Sequence, residues 1–337
     1  MGIMQTLTGM FGQRTSRQPL VAINLKPMPR PWGGGNQFLI QLVTSLEKSG
    51  CQVTYSPRHI ARLLVIVMAR SDCPSTFHLH KIRKLRKRGI PCLVRINECD
   101  HRKKTDYVDD ALYRVAMEAD SVVFISHWLE TYFKARWPTF PTRTLVIGNA
   151  ADDAIFFPSE PRLPKNGEPW RIVTHHWSDH AMKGWPLYYD IDAMIADGRL
   201  PGFALTVIGN SPANLRWKSA RVLPPLWGRD LADELRRHHL YLTASLHEPG
   251  GMHHIEGAQC GLPLVYHEDG GGIVEYGRRY GIGFRDDPAE ALRQAAENYG
   301  ILRERVLKLA PSGASMCAAY LEECRFLMQG PGMIRNE

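Results

Sequence analysis

Apolar residues along this chain come in two alternating rhythms. Short unbroken apolar runs give way to stretches with apolar positions three or four apart. The first kind marks buried strands and the second amphipathic helices. Residues 20–25 (LVAINL) form one run, followed by the turn-rich PMPRPWGGGN. Phe38, Leu39, Leu42 and Leu46 then recur at helical spacing over 37–48. Further strands are predicted at 51–55, 63–69, 92–96, 121–125 and 145–147, with helices at 77–88 and 107–118 between them. The stretch 157–170 (FPSEPRLPKNGEPW) carries four prolines and a glycine and reads as a linker. The rhythm then restarts. Strands are predicted at 171–174, 204–208, 240–243 and 262–266. Helices are predicted at 186–196, 231–238, from about His253, over 288–306 and over 315–328. Such alternation predicts an α/β protein with parallel sheets covered by helices on both faces. Two doubly wound domains are expected, at 1–165 and 166–310. A last helix in 311–337 is expected to return to the first domain.

Composition narrows the classes. At 337 residues the chain suits two domains, and 44% hydrophobic with 23% charged residues excludes collagen-like and disordered classes. The net charge of +8 would suggest nucleic acid, but it is unevenly spread. Residues 1–165 carry 24 Lys and Arg against 13 Asp and Glu, a net of +11, while 166–337 carry a net of −3. Six cations sit in 81–89 (KIRKLRKRG). No aromatics interleave with them and no nucleic-acid motif is present, so nucleic acid is not an expected partner. The run suits a solvated helix face or a peripheral contact with an anionic membrane. The longest apolar run, 63–69, is far short of the roughly 18 residues a spanning helix needs. Gly2 and Thr6 fit a myristoylation pattern that is common by chance, and no secretory signal is evident. Seven cysteines (Cys51, Cys73, Cys92, Cys99, Cys260, Cys317, Cys324) lack CxxC spacing and read as reduced thiols. A cytoplasmic protein is expected, peripheral at the inner face of the membrane if 81–88 docks there.

Several motifs fail. His247-Glu248 opens a zincin-like pattern that Gly251 does not close. Gly33-Gly34-Gly35 lacks the third glycine of a dinucleotide fingerprint, and Lys183-Gly184 is not a Walker loop. The pairs His175-His176, His238-His239 and His253-His254 are adjacent, so each pair diverges on a regular element. No metal and no cofactor are expected.

The segment 245–266 (SLHEPGGMHHIEGAQCGLPLVY) carries the most chemistry. It reads as strand, glycine turn, helix, strand, with Glu248 and Glu256 eight apart. Gly250 and Gly251 allow backbone to approach a ligand, and the amides of Met252 and His253 point outward from a positive helix end. That end suits a diphosphate. Glu256 suits sugar hydroxyls, as acidic residues do for ribose in dinucleotide folds. A plain strand–loop–helix turn with an acid near the dipole is the alternative.

This segment resembles the E-x7-E signature of family-4 retaining glycosyltransferases (glycosyl transferases group 1), which have the GT-B fold. The matches are Ser245, Glu248, Gly251, Glu256, Gly261 and Pro263, with Pro249-Gly250 in place of Gly-Phe and Gly257 in place of Ala. HHWSDHAMKGW resembles the loop whose basic pair grips the donor diphosphate; Lys183 fits the lysine, and Ser178 or His176 stands near the missing arginine. VIGNAADDAIFFP resembles the hinge entry through Asn149, Asp152 and Pro158. VVFISHWL, with Ser126, resembles the strand and turn closing the first domain. PWGGGNQF resembles the glycine loop facing the donor phosphates, bringing in Gly34 and Gly35. HEDGGGIVE resembles the glycine turn near the donor sugar, bringing in Gly271 and Glu275.

The resemblance implies two Rossmann-like domains facing across a cleft and transfer of a sugar, with retention, from a nucleotide-sugar donor. The acceptor would be a glycan, a lipid-linked glycan or another molecule on the basic first domain. It implies Glu248 at the donor sugar, Glu256 at the ribose and Lys183 at the diphosphate. The donor site would comprise Gly34, Gly35, Ser178, Lys183, Glu248, Gly251, Met252, His253, Glu256 and Gly271. Asn97 stands where many members carry a sugar-contacting histidine, with Asp100 and His101 just beyond. Catalytic candidates are therefore Glu248, Lys183, Asn97 and Asp100. A nucleotide-sugar epimerase of the same fold and an inactive sugar-nucleotide binder remain alternatives. Val222–Leu226 is a candidate wall for the base.

Overall fold

The computed structural model describes residues 18–28, 33–58, 60–67, 77–140, 143–160 and 163–330. The myristoylation pattern at Gly2 and Thr6 and the thiol of Cys73 lie outside them. The N-terminal domain is built in the order β1 (Leu20–Ile23), α1 (Gly34–Lys48), β2 (Gln52–Thr54), β3 (Leu63–Ile66), α2 (Leu79–Arg86), β4 (Cys92–Ile96), α3 (Asp100–Lys103), α4 (Val108–Ala116), β5 (Ser121–Phe124), α5 (His127–Arg136) and β6 (Arg143–Val146). Its six strands are parallel in the order β2-β1-β3-β4-β5-β6. The C-terminal domain follows with β7 (Trp170–His176), α6 (Trp185–Ala196), β8 (Phe203–Gly209), β9 (Arg221–Leu223), α7 (Gly228–Leu235), β10 (Leu240–Thr243), α8 (Met252–Gln259), β11 (Leu264–His267), α9 (Ile273–Tyr280), β12 (Gly281–Phe284), α10 (Pro288–Glu297), α11 (Tyr299–Leu309) and α12 (Gly313–Gln329). Its sheet is also six parallel strands, in the order β12-β11-β10-β7-β8-β9. Two doubly wound α/β domains are thus observed, as the alternation predicts.

The central strands are buried on both faces, which is why they read as continuous apolar runs and not as alternation. In the first sheet one face packs on α2, α4 and α5 through Ile82, Leu112 and Phe133. The other face packs on α1 through Phe38, Leu42 and Leu46, and on α12 through Met316, Tyr320 and Leu327. So α12 returns from the C-terminal domain to the core of the first sheet. Fully burying one such apolar side chain is worth roughly 1.5–3 kcal/mol.

The sequence expectations miss several elements. β12 (GIGF) is glycine-rich and has no apolar run, yet it pairs with β11 along its length. β9 is a largely exposed edge strand that overlaps the start of the stretch offered as a base wall. α3 is one turn long, too short to leave a period. The expected strand at 262–266 begins only at Leu264, because Gly261, in a left-handed conformation, and Pro263 delay it.

The basic helix α2 buries Ile82 and Leu85 and turns its charges outward. Arg83 pairs with Glu118 at 2.7 Å and Arg86 pairs with Asp120, while Lys84, Lys87 and Arg88 stay exposed. Among the described residues no helix is long and apolar enough to cross a membrane.

The entry to α12 is fixed by Asp153. Its carboxylate accepts from Gly313 N (3.0 Å), Ala314 N (2.8 Å) and Ser312 Oγ (2.9 Å), and also from Gln259 Nε2 (2.9 Å) of α8. Gly313 N and Ala314 N are helix N-terminal amides that would otherwise lack partners. Asp153→Ala is expected to lower stability by about 1 kcal/mol, typical of a lost cap. Urea denaturation checks this; an unchanged midpoint would show that Ser312 alone suffices.

Candidate active site in the cleft between the domains

Ligands in open parallel sheets sit beyond the carboxyl ends of the strands. Here the two sheets point those ends at one another across a cleft of about 320 Å³. Its N-terminal wall is made by Gly33–Gly35, Gln37, Arg95, Asn97, Glu98, Lys103 and Asn149. Its C-terminal wall is made by His175–Ser178, Lys183, Pro225–Gly228, Glu248, Gly250–His253 and Glu256.

Two helix N-termini converge here. α1 starts at Gly34 after Gly33, whose φ of 76° a glycine tolerates, and α8 starts at Met252 after Gly251. The ends are so close that a Cβ on Gly34 would lie 2.4 Å from Met252 Cγ. Neither helix has a side-chain cap, so their first amides face the cleft with the positive end of each dipole.

At the cleft floor, Oε2 of Glu248 accepts from Lys183 Nζ at 2.9 Å and from Arg102 Nη2 at 2.8 Å. Burial alone would raise the Glu248 pKa, but these two cations outweigh it and hold the carboxyl at about 2. Burial lowers the Lys183 pKa, which the Glu248 charge partly restores. Lys183 ends a short 3-10 turn, Ala181–Lys183, closed by Gly184 in a left-handed conformation. Glu248 follows His247, whose φ of 49° is unusual for a non-glycine residue. That loop is held by main-chain bonds: His247 N to Asp269 O, Glu248 N to Gly270 O and Gly272 N to Glu248 O.

The remaining sequence candidates divide. Gly34, Gly35, Asn97, Ser178, Gly251, Met252, His253 and Glu256 all line the cleft. Asn97 lines the cleft, and its buried Oδ1 has no hydrogen-bond partner. Glu256, in the second turn of α8, accepts from or shares a proton with His175 Nε2 at 2.8 Å; His175 Nδ1 lies 3.1 Å from the Tyr241 hydroxyl. The His253 ring is buried, lies 3.1 Å from Thr243 Oγ1 and is held neutral by burial. His176 turns instead to the Tyr188 hydroxyl at 2.8 Å.

Two candidates fall outside. Gly271 does not line the cleft; it bridges to Glu248 main chain and fixes that loop. Asp100 is turned into its own domain, accepting from Thr105 Oγ1 (2.6 Å), Val108 N (2.8 Å) and Asp109 N (3.2 Å). Burial would raise its pKa, but these bonds and Arg136 lower it below the ordinary value. It organises the α3–α4 turn, and that turn delivers Arg102. Glu275 lies on α9 but serves the other domain: its carboxylate accepts from Trp128 N at 2.6 Å and His127 N at 3.3 Å, at the start of α5.

Sequence reasoning missed Arg102, His175, Glu98 and Arg95. Arg102 sits in a run of basic residues that reads as surface. Arg95 lies mid-strand in β4, fully buried under Phe38 at 4.1 Å, and donates to Asn149 Oδ1 at 2.8 Å; Asn149 Nδ2 then donates to Gly250 O at 2.6 Å. Only an arginine at the centre of an apolar strand could have signalled it. Among the described residues no group of three or more His, Cys, Asp or Glu has the arrangement of a metal site.

Glu248 carries a pH prediction. Its folded pKa is depressed from 4.5 to about 2, so its contribution to stability is present above about 4.5 and lost as pH falls through about 2. Unfolding free energy measured across pH 2–5 should therefore fall with acid in the wild type. Glu248→Gln, already less stable at neutral pH because two buried cations lose their partner, should show a shallower slope. Parallel slopes would refute the coupling.

No protein-family model and no curated protein matches the sequence. Solved structures do. Sucrose-phosphate synthase from Thermosynechococcus elongatus aligns with a TM-score of 0.65 at 17% identity, over 92% of this chain and 98% of that one. Anabaena Alr3699/HepE, in complex with UDP-glucose, aligns with a TM-score of 0.66 at 14% identity, over 91% and 99%. WaaG, a glycosyltransferase involved in lipopolysaccharide biosynthesis, aligns with a TM-score of 0.62 at 12% identity, over 90% and 99%. At these identities the likeness is one of architecture, and it extends over nearly the whole of each chain: this protein has the GT-B fold.

Proposed function

We propose that this protein is a retaining glycosyltransferase that moves a sugar from a nucleotide-diphosphate-sugar to a glycan, lipid-linked or other acceptor. The observation that carries this reading is the convergence on one cleft of the E-x7-E carboxylates, Lys183 and two uncapped helix N-termini. A diphosphate needs fixed positive charge and outward amides, which Lys183 and the ends of α1 and α8 supply. A sugar needs acceptors and donors in fixed places, which Glu248 and Asn97 supply. A ribose suits Glu256, whose carboxylate His175 orients. That Anabaena HepE is known in complex with UDP and with UDP-glucose supports a nucleotide-sugar donor for the shared architecture.

In this reading residues 166–310 bind the donor, 1–165 bind the acceptor, and 311–337 tie the two together. The bond from sugar C1 to the phosphate oxygen breaks and its electron pair stays on that oxygen. The acceptor oxygen bonds to C1 from the same face, and its proton passes to the departing phosphate. Protein cations and amides stabilise the leaving charge, so a metal is not required. Closing of the cleft excludes water from the sugar. The basic first domain then serves an anionic acceptor or an anionic membrane, where each exposed cation of α2 is worth about 1 kcal/mol. The expected location is cytoplasmic or peripheral to the inner face.

Thermal-shift titration with UDP-, GDP- and ADP-sugars tests the donor. One class should raise the melting temperature, since a ligand at 100 times its Kd adds about 2.7 kcal/mol to the folded state. Lys183→Ala should abolish most of that rise for the nucleoside diphosphate; unchanged affinity would sink its role. Product analysis with the donor that binds separates transfer from epimerisation, which needs no acceptor, and from an inactive binder, which yields no product.

Glu256→Gln should weaken donor binding by about tenfold, the loss of one charge-assisted hydrogen bond to a hydroxyl. Full affinity and full turnover in that variant would remove the ribose role.

A further inference from the structure

The cluster beneath the cleft is unbalanced. Three cations, Arg102, Lys103 and Lys183, face two carboxylates, Glu98 and Glu248. Glu98 is taken by Lys103 at 3.0 Å. Glu248 then has to serve both Arg102 and Lys183, and does so through one oxygen. The nearby rings of His176, His253 and His254 are kept neutral by burial and add no charge. Lys103 is 47% exposed, but the contacts of Glu248 sit at low exposure: the Arg102 side chain is 6% exposed, Lys183 14% and Glu248 13%. A surplus cation held that far from water costs free energy until an anion of matching shape joins it.

Arg102 is also placed unusually. It belongs to α3 in the N-terminal domain, yet it donates to Glu248 Oε2 and, at 3.4 Å, to the Leu246 carbonyl, both in the C-terminal domain. A guanidinium offers a planar fork of donors and suits phosphate oxygens better than an ammonium does. We propose that Arg102 is a diphosphate-binding residue delivered from the opposite domain, sharing with Lys183 the charge that collects on the departing phosphate. This rests on the donor reading above. When the C1–oxygen bond breaks, the electron pair remains on the phosphate oxygen, and Arg102 and Lys183 neutralise it without forming or breaking bonds themselves. Because the two cations come from different domains, the site is complete only when the cleft is closed. Glu248 is released from one of its cations as the diphosphate arrives and becomes available to the sugar.

The test is calorimetric titration of the full chain with UDP, GDP and ADP and with the matching nucleosides. For the base that binds, Arg102→Gln should weaken the diphosphate on the order of 100-fold while changing nucleoside affinity less than about threefold. Arg102→Lys keeps the charge on Glu248 but loses the fork, and should give an intermediate loss of about tenfold. The double variant Arg102→Gln/Glu248→Gln removes both the cation and its protein partner, and should remain as weak toward diphosphate as Arg102→Gln. Equal weakening of nucleoside and diphosphate, or recovery of diphosphate affinity in the double variant, would make Arg102 a mere counter-ion of Glu248 and overturn the proposal. If the wild type binds none of the diphosphates, the donor reading falls and takes this proposal with it. Diphosphate binding that Arg102→Gln leaves intact overturns only the proposal.

Discussion

A single carboxylate oxygen organises the centre of this molecule. Oε2 of Glu248 is the acceptor for a lysine of its own domain and an arginine of the other. In water such a pair would be worth little, but at these exposures each charge needs its partner to offset the cost of leaving water. The loop that carries Glu248, the 3-10 turn that carries Lys183 and the short α3 that carries Arg102 meet at this one contact. The rest of the cleft is arranged around it: the amides of α1 and α8 above, and the Lys103–Glu98 pair to one side.

Side chains bonded to the main chain of the opposite domain do much of the remaining work where the domains meet. Glu275 on α9 caps α5 of the other domain, and Asn149 passes the Arg95 guanidinium on to the Gly250 carbonyl. A Cβ on Gly250 would lie 2.8 Å from Ile125 Cδ1, so the glycine turn is pressed on the N-terminal domain. These contacts tie the position of the α8 N-terminus to the position of the other sheet. In this arrangement a ligand between the helix ends touches elements already tied to one another, which reduces the ordering cost of binding.

Much of this was legible in the sequence. Strands buried on both faces leave long apolar runs, and helices with one buried stripe leave a period, so the two sheets and most helices could be read. The E-x7-E spacing placed two acids on a loop and a helix facing one site. What failed had a common cause: it depended on partners distant in sequence. Asp100 sits beside the cleft in sequence, but its oxygens are spent on the turn at Thr105–Asp109. Gly271 is a glycine in the right loop whose task is to pin Glu248 main chain. Arg102 lies among lysines that are indeed on the surface, and no local pattern marks the one cation that reaches across. β12 has no apolar signature because glycines and a neighbouring tyrosine, Tyr266, fill its space.

The path of α12 has a consequence for how this chain comes into being. Met316, Tyr320, Cys324 and Leu327 complete the hydrophobic layer on one face of the first sheet, next to Phe38 and Leu42 of α1. Domains of most proteins mature as they leave the ribosome, the first before the second. Here part of one apolar face of the N-terminal sheet, beside α1, stays uncovered until residues 313–329 have been translated, at some 5–20 residues per second. Its completion thus waits on synthesis of the second domain, which is encoded between that sheet and the helix that finishes covering it.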